Sequence, residues 1–420
     1  MTIQVRDVVA RVHGDADETL DLLRRVVAIP SVTGNTAAMH EFLASELRHL
    51  GFSVDDVPSN PDDVRDTPEF SPPTRKTSGG GMVAHKPGQR GLMLFAHSDT
   101  CDPAEQGAWT ADPLVLTADG RGRVAGIGVA DCKAGVVAIV AALRAIERSG
   151  LVLRKAPAVV IAEAKTGGFT GMFQSVRQAG KSEGALYCHP GEVGDGMGRI
   201  KVATRGVLSF RIEVAGRTPV PLESSARSAD PRQGENALVH GANIVAAIVQ
   251  WADTQPKLIC SVNSIKAGRD AIEVPDICVM EGTCWYTEGS IDSVIAGLRG
   301  AVARAASASP WLQQHMPAVE LIGVRSNPAS CEGSEFARVV QDAVATVTGT
   351  TPEPYGWHSA SDIRFPMRHA DTPTVGIGSV AGNFGRSDEW LDVDDFMRMV
   401  EVIARVLVSW DEKTAPSAAT

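Results

Sequence analysis

Unbroken apolar runs of strand length, separated by stretches of helical periodicity, constrain this chain more than any other feature. Gly91–His97, Ala158–Ala162 and Ala185–Cys188 are apolar without alternation, as strands buried on both faces must be. Ala134–Ile146 reads as a long apolar helix between the first two. Two earlier segments, Asp17–Ile29 and Asn35–Leu50, also carry helical spacing, the second with Asn35 as N-cap and Gly51 as stop. Strand–helix–strand order of this kind specifies α/β architecture, a mostly parallel sheet with helices on both faces.

The pattern changes near Arg205. Val207–Val214 reads as a strand, Ala237–Trp251 as a helix, Leu258–Ile265 and Ile277–Tyr286 as strands, Ile291–Ala306 as a helix and Val319–Val324 as a strand. That β-α-β-β-α-β order is the ferredoxin-like plan. The first style returns after residue 326 with helix Glu335–Thr348, strand Thr374–Ile377 and helix Val393–Trp410. The expected organisation is therefore one α/β domain, residues 1–204 and 326–420, with a ferredoxin-like α+β domain inserted at 205–325. Residues 58–82 hold five Pro and three successive Gly and read as a long surface loop, either a lid or a tolerated insertion.

Composition excludes several function classes. The 420 residues carry 40 Lys and Arg against 50 Asp and Glu, a formal charge of −10, with no basic face for nucleic acid. Seven cysteines without a CxxC pair point to a reduced, cytoplasmic protein. The first residues lack the charged and apolar regions of a signal peptide, so none is expected, and no charge-free run of membrane-spanning length occurs.

Chemistry first shows at Leu94-Phe95-Ala96-His97-Ser98-Asp99-Thr100, the C-terminal end of a buried strand, where open α/β sheets gather their ligands. His97 can ligate a metal through one ring nitrogen while Asp99 accepts from the other and fixes the tautomer. Further on, Gly126-Ile127-Gly128-Val129-Ala130-Asp131 places a carboxylate in a glycine-rich turn before a helix. Either feature alone is weak. Together, in order and above one sheet, they suggest a metal site.

With these residues the chain resembles the M20 family of metal-dependent aminopeptidases, carboxypeptidases and N-acyl amino-acid deacylases. His97-Ser98-Asp99, Trp109, Asp112-Pro113, Gly126 to Gly135, Arg205-Gly206, Gly234-Glu235-Asn236, Val274-Pro275-Asp276 and Ser387-Asp388-Glu389 follow its motifs along nearly the whole chain. The resemblance implies a catalytic domain with an inserted lid or dimerisation domain, and a pair of metal ions. It also exposes departures. The family's Glu-Glu pair falls at Lys165 and Thr166, its last His ligand at Gly385, and its lid His at Val220. The other ion's ligands fall at His97, Asp131 and His189, the last replacing a carboxylate. The peptide-gripping Asn and Arg of the inserted domain fall at Ile272 and Trp285.

The expectation is a hydrolase with one divalent ion per chain, Mn or Zn with Fe also suitable, held by His97, Asp131 and His189. Asp99, Glu163 and Lys165 are the candidate groups for the chemistry. Trp285, Arg386 and Arg364 are the candidates for holding substrate. The departures suggest a C–N hydrolase acting on a small planar aromatic. The resemblance to an M20 member that deaminates 5-nitroanthranilate implies hydrolytic deamination of such an electron-poor amine, with release of ammonia. An M20-type deacylase or dipeptidase with Glu163 as base stands as the alternative, and a catalytically dead binding protein as the third. The partners expected are a small-molecule substrate and further copies of the chain, joined through the inserted domain.

Overall fold

The computed structural model describes residues 3–72, 80–165, 170–189, 191, 194–223 and 226–414. Eight strands form the large sheet, in the order Ser53–Val57, Gly81–His85, Ala156–Ala162, Arg90–His97, Ala185–Cys188, Thr374–Ile377, Arg199–Lys201 and Glu353–Tyr355. Its central strands, from Ala156–Ala162 to Thr374–Ile377, run parallel, and antiparallel pairings flank them.

The apolar runs are continuous because alternate residues enter two different cores. Leu92, Leu94 and Ala96 face one core, with the helices Ala16–Val27, Lys133–Arg148 and Val393–Lys413. Met93 and Phe95 face the other, beneath Phe173, Val176 and Phe365. Neither face meets water, so neither needs polar residues. The helix Thr170–Ala179 goes beyond the elements assigned from periodicity, although Met172, Phe173, Val176 and Ala179 are buried at helical spacing.

Between the two parts of the large sheet the chain builds a second one, in the order Leu258–Ala267, Ile277–Tyr286, Gly206–Ala215, Ala318–Ser326. Helices Ala237–Asp253 and Ile291–Ser307 cover one face. Its core is separate and includes Phe210, Ile244, Met280 and Leu298. The strand order and helix placement follow the β-α-β-β-α-β plan.

Two local expectations need correction. The third helix spans Ala37–His49 with Thr36, not Asn35, in the N-cap position, and no side chain caps it. The Thr36 hydroxyl donates to Glu163 Oε1 at 2.7 Å instead. Much of the proline-rich loop is also not a free lid. Glu69 and Phe70 are 2% and 7% exposed. Asn327 and Arg368 donate to the Glu69 carboxylate, and the Arg325 guanidinium donates to the Phe70 carbonyl. The segment is a strap across the junction of the two sheets. Residues 73–79 of this loop lie outside the described residues.

Candidate metal centre

The two histidines meet because of strand register. Phe95 and Tyr187 are direct partners in adjacent parallel strands. Side chains repeat every two residues, so His97 and His189, two positions on, emerge side by side past the strand ends. The rings confirm it: Phe95 to Tyr187 are 4.7 Å apart, Tyr187 to His189 4.9 Å and His97 to His189 5.6 Å.

Asp131 approaches from the turn before the Lys133–Arg148 helix. That turn lies close to the strand carrying Cys188: a Cβ on Gly135 would stand 1.9 Å from the Cys188 carbonyl oxygen, so only glycine fits. The Asp131–Cys132 peptide is cis. Below the turn, Glu389 accepts from the N–H groups of Gly128, Ala130 and Asp131 at 2.8, 3.1 and 2.7 Å. Burial and the charge of Asp131 push the Glu389 carboxyl up to about 8.

The Asp131 carboxylate is shared between two sides. Its Oδ1 lies 2.7 Å from His97 Nε2 and 3.0 Å from His189 Nε2. Its Oδ2 is bonded to the Lys165 ammonium. Burial alone would raise the Asp131 carboxyl, but Lys165, His189 and His97 hold it well below the usual range. Burial also opposes a charge on His97, yet Asp131 and Asp99 outweigh it and lift the ring to about 10. The field here favours a cation.

Asp99 has a wider task than the sequence suggested. The His97 Nδ1 atom bonds the backbone carbonyl of Asp99 at 3.0 Å, and the carboxylate lies farther off at 3.4 Å. The carboxylate is committed elsewhere. It accepts from the Ala164 and Lys165 N–H groups at 2.9 and 3.1 Å and from the Thr33 hydroxyl at 2.6 Å. Asp99 therefore pins the loop that delivers Lys165.

Glu163 turns away from the ligands. Its Oε1 accepts from Gly34 N and Thr36 Oγ1 at 3.0 and 2.7 Å, and these partners beyond the strand end draw the carboxylate away. Arg364 is buried as well, bonded to the Ala360 carbonyl and 3.6 Å from Asp362; it braces the loop instead of entering the cavity. Arg386 is exposed and outside the cavity wall. Trp285 alternates with Cys284 and Tyr286, which enter the inserted core, so it projects from the sheet face without helices. It is absent from the cavity wall too. Thr166 lies outside the described residues.

The ligands open into a cavity of about 420 Å³ whose wall includes Tyr187, His358, Ser361, Asp362 and Phe384. Asp362 and Tyr187 were not singled out from sequence. Tyr187 OH lies 3.1 Å from Asp362 Oδ2, and burial raises the Asp362 carboxyl against the pull of Arg364, His97 and His189. The parity of Tyr187 with His189 could have found the first. The second sits in a loop whose course depends on distant packing.

His97, Asp131 and His189 offer one ligand atom each within 4.8 Å of one another. Two imidazoles and a carboxylate suit divalent Mn, Fe or Zn, so the residues fit such an ion. No other group of three such donors occurs among the described residues.

Comparison with known proteins identifies the relatives of this chain. Residues 93–409 match the model of peptidase family M20/M25/M40. A succinyl-diaminopimelate desuccinylase from Methylocella silvestris is 25% identical over 94% of this chain and 98% of its own. Among solved structures, an aminopeptidase from Bacillus cereus superposes with a TM-score of 0.74 at 16% identity, covering 94% of this chain and 98% of that one. A dinuclear metal-binding M20 peptidase from Bacillus subtilis superposes with a TM-score of 0.64 at 14% identity, covering 95% and 99%. With a family match over most of its length and a histidine–carboxylate centre at the strand ends, this chain belongs to peptidase family M20/M25/M40.

Proposed function

We propose that this member of a metal-dependent hydrolase family cleaves a carbon–nitrogen bond with one divalent ion, held by His97, Asp131 and His189. The observation that carries the reading is the division of Asp131, with two imidazoles on one oxygen and an ammonium on the other. A divalent ion supplies Lewis acidity there and makes water a better nucleophile at neutral pH. The chain's own groups do the rest. The Asp99 carbonyl fixes which nitrogen His97 presents. Asp362, its pKa raised by burial, is the carboxylate of the cavity wall available to take a proton, steadied at Oδ2 by the Tyr187 hydroxyl.

For substrate we propose an electron-poor aromatic amine, hydrolysed to the phenol and ammonia, as in 5-nitroanthranilate to 5-nitrosalicylate. The cavity volume suits one small ring, and Tyr187, His189, His358 and Phe384 give it flat walls. A nitro-substituted ring takes up the charge of the attack itself. Amide hydrolysis instead needs oxyanion donors and an acid for the leaving nitrogen. Glu163 faces away from the cavity and Val220 is 80% exposed. A deacylase is the second reading, favoured by the full-length similarity to a desuccinylase. The proposal includes a cytoplasmic homodimer or larger homo-oligomer through the inserted unit. The edge strand Leu258–Ala267 of that unit leaves Ile259 and Ile265 exposed.

The test is metal-loaded protein incubated with 5-nitroanthranilate and, separately, with N-succinyl and N-acetyl amino acids. Ammonia from the first, with little amino acid from the others, is expected. Efficient release of amino acid and no ammonia would establish the deacylase. Neither product and no bound metal would mark a binding protein that retains only the fold. Replacing His189 by Ala should remove metal and activity together; full occupancy in that variant would break the ligand assignment.

A further inference from the structure

The Lys165 ammonium occupies an unusual place. It sits on Asp131 Oδ2, the oxygen left over when His97 and His189 take Oδ1. The side chain is 13% exposed. Its backbone cannot swing away freely, because the Asp99 carboxylate accepts from both the Ala164 and Lys165 N–H groups. Room for it comes from Gly385, where a Cβ would stand 3.3 Å from Nζ. A solved relative in this family is described as dinuclear, and a carboxylate with one oxygen toward each of two cations is the simplest bridge between them. Here the second oxygen already holds a cation that belongs to the chain.

We propose that Lys165 is a built-in replacement for a second metal ion, and that it limits the site to a single ion while loosening the grip on it. The proposal rests on the ligand assignment above. The physical reason has two parts. A divalent ion approaching Oδ2 meets a fixed positive charge at bonding distance from the same oxygen, in a buried place where repulsion is weakly screened. The ion on the histidine side shares Asp131 with that ammonium, so the carboxylate's negative charge is partly spent before the metal arrives. No second cluster of three donors compensates among the described residues.

The experiment measures ion number and affinity, with no reference to turnover. Manganese and zinc are titrated calorimetrically into metal-free protein, and bound metal is counted by elemental analysis. Wild type should bind one ion per chain. Lys165→Met should bind its first ion at least tenfold more tightly, because Asp131 regains its full charge. Lys165→Glu should take up a second ion, and Lys165→Arg, which keeps the charge, should stay at one. Two ions in wild type would overturn the proposal, as would a Lys165→Met affinity equal to or weaker than wild type in a variant shown folded by circular dichroism. Should Lys165→Met fail to fold, the ion counts of wild type and Lys165→Arg still decide the matter. Failure of the underlying ligand assignment looks different: His189→Ala then keeps wild-type affinity whatever residue 165 does.

Discussion

The two sheets follow the same rule of alternation and use it differently. In the large sheet both faces are buried, so each residue of a central strand is constrained by a core: Leu94 and Ala96 by one, Met93 and Phe95 by the other. In the inserted sheet only one face is covered. Phe210, Ile212, Met280 and Cys284 are buried, whereas Arg211, Glu213 and Ile259 reach solvent. Ligand geometry needs positions fixed to a fraction of an ångström, and the doubly covered sheet provides them at its strand ends. The open face of the inserted sheet, which bears Trp285, is free to change without disturbing either core.

Phe210→Ala is the strongest way to separate the two regions. Truncating a fully buried phenylalanine costs about 3–5 kcal/mol, here in a core that the large sheet does not share. Urea denaturation should show the inserted unit melting early, while metal affinity measured below that transition stays at wild type. Simultaneous loss of metal would mean that the sheets form one cooperative unit.

Glycines sharpen the same contrast. Gly135→Ala forces a Cβ to 1.9 Å from the Cys188 carbonyl oxygen and should cost on the order of 3 kcal/mol, with loss of metal because Asp131 shifts. Gly300→Ala, in the inserted helix Ile291–Ser307, meets nothing nearer than an Arg304 terminal nitrogen at 3.5 Å. It should stabilise by about 1 kcal/mol through helix propensity. Equal effects at both sites in denaturant melts would refute the difference in constraint.

Asp99→Asn should weaken the ion about 10–100-fold, since the amide cannot accept all the bonds that hold Ala164, Lys165 and Thr33. Competition with a fluorescent chelator measures it, and unchanged affinity would reduce Asp99 to a fold-supporting role.

The smallest effect concerns the seam between the sheets. Burial lowers the His369 ring to about 4, where it sits 3.9 Å from the strap carboxylate of Glu69. The unfolded ring titrates near 6.5, so between about pH 6.5 and 4 the unfolded chain binds the extra proton. Stability therefore falls as pH drops through that window. His369→Gln should flatten this part of the curve, read from denaturation midpoints at pH 7, 5.5 and 4.5. An unchanged slope would assign it to other groups such as His40, which burial also shifts downward.

The sequence by itself determined the four central strands of the large sheet and the four of the inserted one, but not the outer strands Ser53–Val57, Gly81–His85, Arg199–Lys201 and Glu353–Tyr355. Ala185–Cys188, Ile277–Tyr286, Glu335–Thr348 and Thr374–Ile377 have the ends read from periodicity. It also placed His97 and His189 at strand ends, and parallel register then required them to meet. These features are legible because alternation is local: two residues advance one pleat whatever lies far away. Tertiary structure decided the rest. Glu163 and Lys165 are two residues apart at the end of one strand, where the regular ladder stops, and long-range partners chose their directions. Thr36 and Gly34 draw the Glu163 carboxylate away, and the Asp99 carboxylate holds the backbone so that Lys165 meets Asp131. Asp362 and Glu389 reach the site from more than 200 residues beyond His97, on loops without periodicity. A side chain past the end of a strand takes its direction from the hydrogen bonds and charges it meets, and only the assembled fold brings those partners within reach.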